Sequence, residues 1–263
     1  TQASISPDKE DITSTINIAE GPRYTGGSVR LAGDLAVDEA ELRKLVFIAP
    51  GEVFSREKIQ RTAKAISDRL GSEGYAFANV NAVPELDREN ATAAFTLYVD
   101  PGRRVYVRRL NVAGNAKTRD EVVRREARQL EGAWFDSGRI DRSKVRMKRL
   151  GYFDDVNVET PPVPGVTAQV AVDFSVTERS TGNLLAGRGY SNADGLVFSG
   201  SVSQQNVFGS GNAISLNVNT SKANRTYSIM FLEPYWTVNG VSRTLEAYVR
   251  RLDSTSLSVY HYS

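Results

Sequence analysis

The residue types that support covalent or metal chemistry are nearly absent from this sequence. There is no cysteine and a single histidine, His261. This removes thiolate nucleophiles, thiolate metal sites and disulfides, and it leaves one imidazole without the companions that a base or a ligand needs. No Walker or Gly-x-Ser-x-Gly motif occurs, and Gly187-Arg188-Gly189 lacks the third glycine of a dinucleotide fingerprint. The chain does not read as an enzyme, and it implies no cofactor and no metal. What remains is the chemistry of strand pairing and ion pairing. Leu184-Leu185-Ala186-Gly187-Arg188-Gly189-Tyr190 has no β-branched residue and two glycines, so as a strand it should pair weakly and slip in register. The same glycines would also suit a strand that bends or packs tightly. Glu126 sits among Arg124, Arg125 and Arg128, where the simplest use of its carboxylate is a helical ion pair worth a few tenths of a kcal/mol.

These residues are positioned by a repeat. Gly132-Ala133-Trp134-Phe135 is answered by Gly51-Glu52-Val53-Phe54, Ile140 by Ile59, Gly151-Tyr152-Phe153 by Gly74-Tyr75-Ala76-Phe77, and Val112-Ala113-Gly114 by Leu31-Ala32-Gly33. A unit of about 80 residues is too long for a solenoid period and suits a small domain. The second copy is four residues shorter, about one helical turn, between Ile140 and Gly151. Ile16-Asn17-Ile18-Ala19-Glu20-Gly21 echoes the end of the first copy, so residues 1–20 read as the last strand of an earlier repeat and the chain as part of a longer one. Net charge is only +2, yet residues 103–149 hold fifteen Lys or Arg against six Asp or Glu, and residues 180–263 hold only ten charged side chains. That contrast marks a boundary near residue 179. The basic stretch has few aromatics and no recognition signature, which argues against nucleic acid; a solvated helical face, lipid headgroups or an acidic partner remain.

Within each repeat the pattern is β-α-α-β-β. The first copy reads as a strand near Val29, helices over residues 38–46 and 55–70, and strands over 77–83 and 92–99. In the second, a strand over 105–112 precedes a helix with Thr118-Arg119-Asp120-Glu121 as capping box. A second helix covers 137–150, with Gly151 as left-handed C-cap, and strands follow over 155–159 and 168–178. Two amphipathic helices must cover one face of a three-stranded sheet, a two-layer α+β domain. Trp134, Phe135, Phe54 and Tyr152 read as core. From Thr181 onward, two-residue alternation takes over, as in Leu196, Phe198 and Val202 or Ile214, Leu216 and Val218, with turns at Asn192-Ala193-Asp194-Gly195, Gly209-Ser210-Gly211-Asn212, Lys222-Ala223-Asn224-Arg225 and Asn239-Gly240. No run of eighteen apolar residues exists to make a membrane helix. Strands of this length, with Phe208, Phe231, Tyr235 and Trp236 near their ends, suit a transmembrane β-barrel, and a soluble sandwich would alternate too.

The repeat unit resembles the polypeptide-transport-associated (POTRA) domain. The second copy is similar to the membrane-proximal one of outer-membrane β-barrel assembly factors of the BamA family. Arg124-Arg125-Glu126-Ala127-Arg128-Gln129, Glu131-Gly132-Ala133-Trp134, Arg149-Leu150-Gly151-Tyr152-Phe153 and Val176-Thr177-Glu178-Arg179 carry the resemblance, which covers essentially the whole chain. It implies tandem POTRA domains followed by the N-terminal strands of a transmembrane β-barrel: residues 1–20 as the end of the third domain, 21–101 and 102–178 as the fourth and fifth, and 179–263 as the first part of a barrel that continues beyond Ser263. It implies an outer-membrane location with the POTRA domains in the periplasm, and a core subunit of the barrel assembly machinery (BAM complex) that inserts β-barrel proteins. Implied partners are unfolded outer-membrane protein precursors, the BAM lipoproteins, notably BamD, and outer-membrane lipid.

The family fold would place the penultimate strands of the two domains at sheet edges, where Phe77, Asn79, Asn81, Asp155, Asn157 and Glu159 could take up an extended peptide. In this family the first barrel strand, here residues 184–190, pairs poorly with the last, opens sideways and templates the final strand of a precursor. The Arg-Arg-Glu-x-Arg-Gln motif is where the fifth domain meets BamD, so Glu126 would pair with a cation there, flanked by Arg124, Arg125 and Arg128. Two-partner secretion transporters share the architecture with two such domains, and the translocation and assembly module shares it with three. A non-catalytic periplasmic scaffold would require residues 180–263 to fold in water.

Overall fold

A computed structural model describes residues 2–5, 12–15, 23–191, 195–253 and 258–262. The expected strand over residues 16–21, the turn at Asn192-Ala193-Asp194 and the side chain of His261 lie outside the described residues. The chain forms two compact units, residues 1–70 with 77–102, and residues 71–76 with 103–263. The second unit therefore joins the membrane-proximal domain to the strands that follow it, across the boundary expected near residue 179.

In the first unit, β1 (Gln2–Ile5) and β2 (Ile12–Thr15) pair antiparallel, so two strands stand where one was expected. Then come β3 (Thr25–Gly33), α1 (Glu39–Arg43), α2 (Arg56–Gly71), β4 (Asn79–Asp87) and β5 (Thr92–Asp100), with sheet order β3-β5-β4. In the second unit, β6 (Tyr106–Ala113), α3 (Asp120–Arg124), α4 (Ser137–Arg149), β7 (Phe153–Glu159) and β8 (Gln169–Glu178) repeat the pattern as β6-β8-β7. The long helices bury one stripe each, Ile59, Ile66 and Leu70 in α2, Ile140 and Met147 in α4, because residues three, four and seven apart share a face. They run sixteen and thirteen residues, so the second copy loses three helical residues where the alignment implied four.

Two details show how closely the copies agree. Gly33 and Gly114 both take positive φ, +94° and +87°, and a Cβ on either would overlap the carbonyl oxygen of Val99 or Val176 in the central strand. Thr62 and Ser143 are buried hydroxyls in the helices. Thr62 Oγ1 donates to Lys58 O at 2.8 Å and accepts from the Phe47 amide at 3.1 Å, and Ser143 Oγ donates to Arg139 O and accepts from the Arg128 amide, both at 2.7 Å. Each hydroxyl thus ties down the segment that follows the short first helix.

Several expectations are corrected. The first helices span only five residues each; beyond α3 the chain tightens into i to i−3 bonds, from Glu126 N to Val123 O and Ala127 N to Arg124 O. The capping box does not form, because Arg119 occupies the N-cap and makes no side-chain bond. Glu178 at the end of β8 accepts instead from the amides of Lys117 and Thr118, at 2.9 and 2.7 Å. Phe135 and Tyr152 are core, but Trp134 is 42% exposed. Its backbone bridges Tyr106 at the sheet edge, and the two rings stack at 3.7 Å. Phe54 likewise lies half exposed, stacked on Phe95. Gly151 takes φ +72° after α4, as a left-handed C-cap.

The last part of the chain is an antiparallel meander of six strands: β9 (Gly182–Ser191), β10 (Gly195–Gln204), β11 (Ala213–Thr220), β12 (Asn224–Glu233), β13 (Arg243–Asp253) and β14 (Ser258–Tyr262). The sheet is open, as the first part of a barrel must be, and register assigns its faces. Ala186, Gly200, Val218, Tyr227 and Val249 form one cross-strand row, and Leu184, Val202, Leu216, Ile229 and Ala247 form another, so these side chains share the apolar face. Gly187, Ser199, Asn219, Thr226 and Arg250 share the polar one. One face meets lipid and the other lines the interior.

Pro84 gives a further reading of β4. It pairs opposite Phe95 within an unbroken register and has no N–H, so its nitrogen must face away from β5. Amides alternate along a strand, so those of Val80 and Ala82 point outward and those of Asn79 and Asn81 bond to β5. The expected outcome is that Asn81→Pro lowers stability by about 1–3 kcal/mol through a lost ladder bond, whereas Ala82→Pro costs less. Thermal unfolding of the two variants checks this, and equal losses would refute the assigned parity.

Candidate functional site

Three sets of residues were expected to act, and they fall in different places. The penultimate strands lie at sheet edges: among the described residues β4 and β7 each pair only with the central strand. Asn79 and Asn81 lie in β4, and Asp155, Asn157 and Glu159 in β7, with exposed side chains. Phe77 does not belong to the strand. It lies in the turn ahead of β4, half exposed, because Gly74 at φ +103° ends the preceding segment and the ladder begins only at Asn79.

Residues 184–190 form the middle of β9. On its inner side β9 pairs with β10 without a break over ten residues, from Ser191 opposite Gly195 to Gly182 opposite Gln204. The ladder with β10 is thus continuous through both glycines. On its other side β9 has no partner among the described residues. Leu185, Gly187 and Gly189 face the interior, Leu184, Ala186, Arg188 and Tyr190 the apolar side. The glycines differ in their surroundings. A Cβ on Gly187 would stand 2.8 Å from Ser199 Oγ, whereas one on Gly189 would meet nothing within 4 Å.

The third set lies where the membrane-proximal domain meets the turns at one end of the barrel strands. Glu126 is 3% exposed. Its Oε2 pairs with Arg146 Nη2 of α4 at 2.7 Å, and its Oε1 accepts from the Tyr235 hydroxyl, also at 2.7 Å. Arg146 Nη2 donates in addition to that hydroxyl at 3.1 Å, which closes a triangle. Arg125 lies over the Tyr235 ring at 4.2 Å. Arg124 turns the other way, to Asp120, Glu131 and the Leu110 carbonyl. Of the motif's four charged side chains only Arg128 is turned out to solvent. The helical ion pair anticipated from sequence is thus replaced by a pairing between the segment after α3, helix α4 and the turn after β12. A carboxylate so enclosed can meet a partner's cation only by exchanging Arg146 and Tyr235 for it.

A second turn, after β10, adds to the same junction. Arg119 N donates to Gly209 O at 3.0 Å, Asn206 Nδ2 to Thr118 Oγ1 at 2.7 Å, and the Tyr152 hydroxyl to Gly211 O at 3.0 Å. Burial pushes the Tyr152 phenol above its ordinary range. Gly209 at φ +72° approaches so closely that a Cβ there would overlap the Lys117 carbonyl. Against the upward push of partial burial, the Thr118 and Lys117 donors hold the Glu178 carboxyl below its usual range. Sequence reasoning missed Arg146, assigned to a solvated face, and Tyr235, assigned to an aromatic girdle. No local signal could have joined groups this far apart in the chain. The described residues contain no cluster of His, Cys, Asp and Glu suited to a metal.

Comparison with known proteins identifies the family of both regions. The POTRA family model, described as a surface antigen variable number repeat, matches residues 24–102 and 105–179, and the Omp85 superfamily domain matches residues 206–263. The outer membrane protein assembly factor BamA of Neisseria meningitidis serogroup B is 40% identical over 99% of this chain, which spans 33% of that relative's length. Among solved structures, Haemophilus ducreyi BamA lacking POTRA domains 1–3 superposes with a TM-score of 0.76 at 30% identity, over 89% of this chain and 44% of that one. The POTRA3–5 structure of Haemophilus influenzae BamA gives 0.62 at 36% identity, over 67% of this chain and 70% of that one.

The junction network makes a prediction. Tyr235→Phe removes a donor from a buried carboxylate and is expected to cost about 1–3 kcal/mol. Glu126→Lys places a cation beside Arg146 and Arg125 and is expected to cost about 3–5 kcal/mol. Hydrogen exchange of α3 and of residues 234–242 is the readout. Unchanged protection in both variants would show that the triangle does not hold the junction.

Proposed function

The chain belongs to the POTRA-bearing Omp85 family that includes the BamA assembly factors, and from that premise we propose that it receives unfolded outer-membrane protein precursors and hands them to the edge of its own barrel. The barrel stands in the outer membrane and the POTRA domains in the periplasm. Residues 21–101 and 102–178 act as the fourth and fifth POTRA domains of the longer protein.

The observation that carries this reading is β9. An incoming strand must satisfy its backbone groups before it meets hydrocarbon, where each bare group costs several kcal/mol. An edge strand with a free ladder provides those partners. β9 is held in register by β10, so its outer edge is presented in a fixed frame. It has no β-branched residue over 184–190 to strengthen closure by the barrel's last strand. A precursor strand can therefore compete for that edge, and insertion requires no covalent step.

The outward amides of β4 and the edge of β7 serve the same end in water, taking up extended segments by strand addition. The partner lipoprotein BamD docks on the segment that follows α3, where Arg128 is available directly and Glu126 acts by holding the segment against the barrel turn. Three such domains, counting the one ending in residues 1–20, favour an assembly factor over a two-partner secretion transporter, and the resemblance of residues 124–153 to the membrane-proximal domain favours it over the translocation and assembly module.

A proline scan across residues 184–190 of the complete protein, reconstituted in proteoliposomes with an unfolded barrel client, tests the reading. Positions whose amide faces outward should slow client insertion while the protein still folds, and those facing β10 should impair folding itself, giving a two-residue period. Normal insertion by every variant that folds would overturn the templating role.

A further inference from the structure

The apolar face of the barrel sheet carries cations in an unusual position. In the register, Arg188 stands opposite Phe198, Phe198 opposite Thr220, and Thr220 opposite Arg225, so one row across β9 to β12 holds two arginines on the lipid side. This row lies toward the strand ends remote from the POTRA domain. It is not the outermost: Tyr190 and Leu196 pair beyond it, while Ala186, Gly200, Val218 and Tyr227 pair below it. Along β9, Tyr190 and Ala186 thus flank Arg188 on the same face, while Arg225 lies at the start of β12 beside the turn, with Arg251 of β13 opposite it. A cation facing lipid costs about 2–4 kcal/mol at mid-membrane and about 0–1 near the interface, so the position favours an anion bound at the headgroup boundary.

A cleft of about 530 Å³ opens beside this row, with Leu196, Phe198 and Tyr227 along it and Lys222 and Arg225 at its mouth. Arg188, Lys222 and Arg225 are exposed and form no ion pair among the described residues. The nearby carboxylate of Asp253 is paired with Arg251 at 3.0 Å. We propose that this cleft binds a phosphate-bearing, multiply acylated lipid of the outer leaflet. A phosphate would lie against Lys222 and Arg225, which line the cleft, an acyl chain would run along Phe198 and Tyr227, and Arg188, three strands away in the same row and about 14 Å off, would face a second phosphate of the same lipid. Charge complementarity and continuity with the lipid-facing surface select a lipid over a soluble anion or a protein. Because Arg188 belongs to β9, the lipid would sit beside the strand from which the barrel opens. The inference rests on the barrel fold and not on the templating role.

The test is native mass spectrometry of the complete, detergent-solubilised protein titrated with bis-phosphorylated lipid A, with its dephosphorylated counterpart and with millimolar inorganic phosphate as further arms. The wild type should retain lipid A, and R188Q/K222Q/R225Q should bind it at least about tenfold more weakly, the equivalent of one charge-assisted contact. K222Q/R225Q leaves β9 intact and should show a loss in the same direction, which guards against misfolding of the triple variant. Equal retention by both variants, equal binding of the dephosphorylated lipid, or displacement of lipid A by inorganic phosphate would each overturn the proposal.

Discussion

A backbone amide or carbonyl that enters hydrocarbon unpaired costs several kcal/mol, and the architecture of this chain follows from that constraint. The strands after residue 181 pair in sequence order as a meander, each satisfying its neighbour, with apolar side chains on one face and polar ones on the other. The soluble domains are free of the constraint and keep edges: β4 and β7 each leave one ladder open to water.

The two regions are coupled by a compact set of buried polar contacts. Glu126, Arg146 and Tyr235 bond one another in a triangle that leaves Arg146 Nε unpaired, and the close approach of Gly209 to Lys117 leaves no room for a side chain. A buried ion pair is weak evidence for stability, since the desolvation of both charges offsets much of the attraction. Its directional geometry, however, fixes which turn meets which helix. Of the motif's charged residues, Arg124, Arg125 and Glu126 are engaged in contacts within this unit, and Arg128 is the exposed one.

Much of this was legible in the sequence because it depends on local periodicity. Apolar periodicity, repeated in both copies, marked the long helices over residues 55–70 and 137–150, and two-residue alternation marked the barrel strands. The repeated glycines were found as letters, although the reason for Gly33 and Gly114, a carbonyl of the central strand lying against each, appears only in three dimensions. Trp134 was misplaced because its size argues for the core, whereas a stacked partner at a sheet edge, Tyr106, lets it stay half exposed. The capping box failed for a related reason: Glu178, remote in sequence, satisfies the amides that Glu121 was expected to help satisfy. The environment of Glu126 was illegible, since its partners lie on another helix and in a barrel turn.

The most direct test of a templating edge is photo-crosslinking in living cells from a probe at Gly189 of the complete protein, where the absent side chain leaves open space. The account predicts adducts with the final strands of many different barrel precursors. Adducts confined to the protein's own closing strand, or to one large secreted polypeptide, would contradict it.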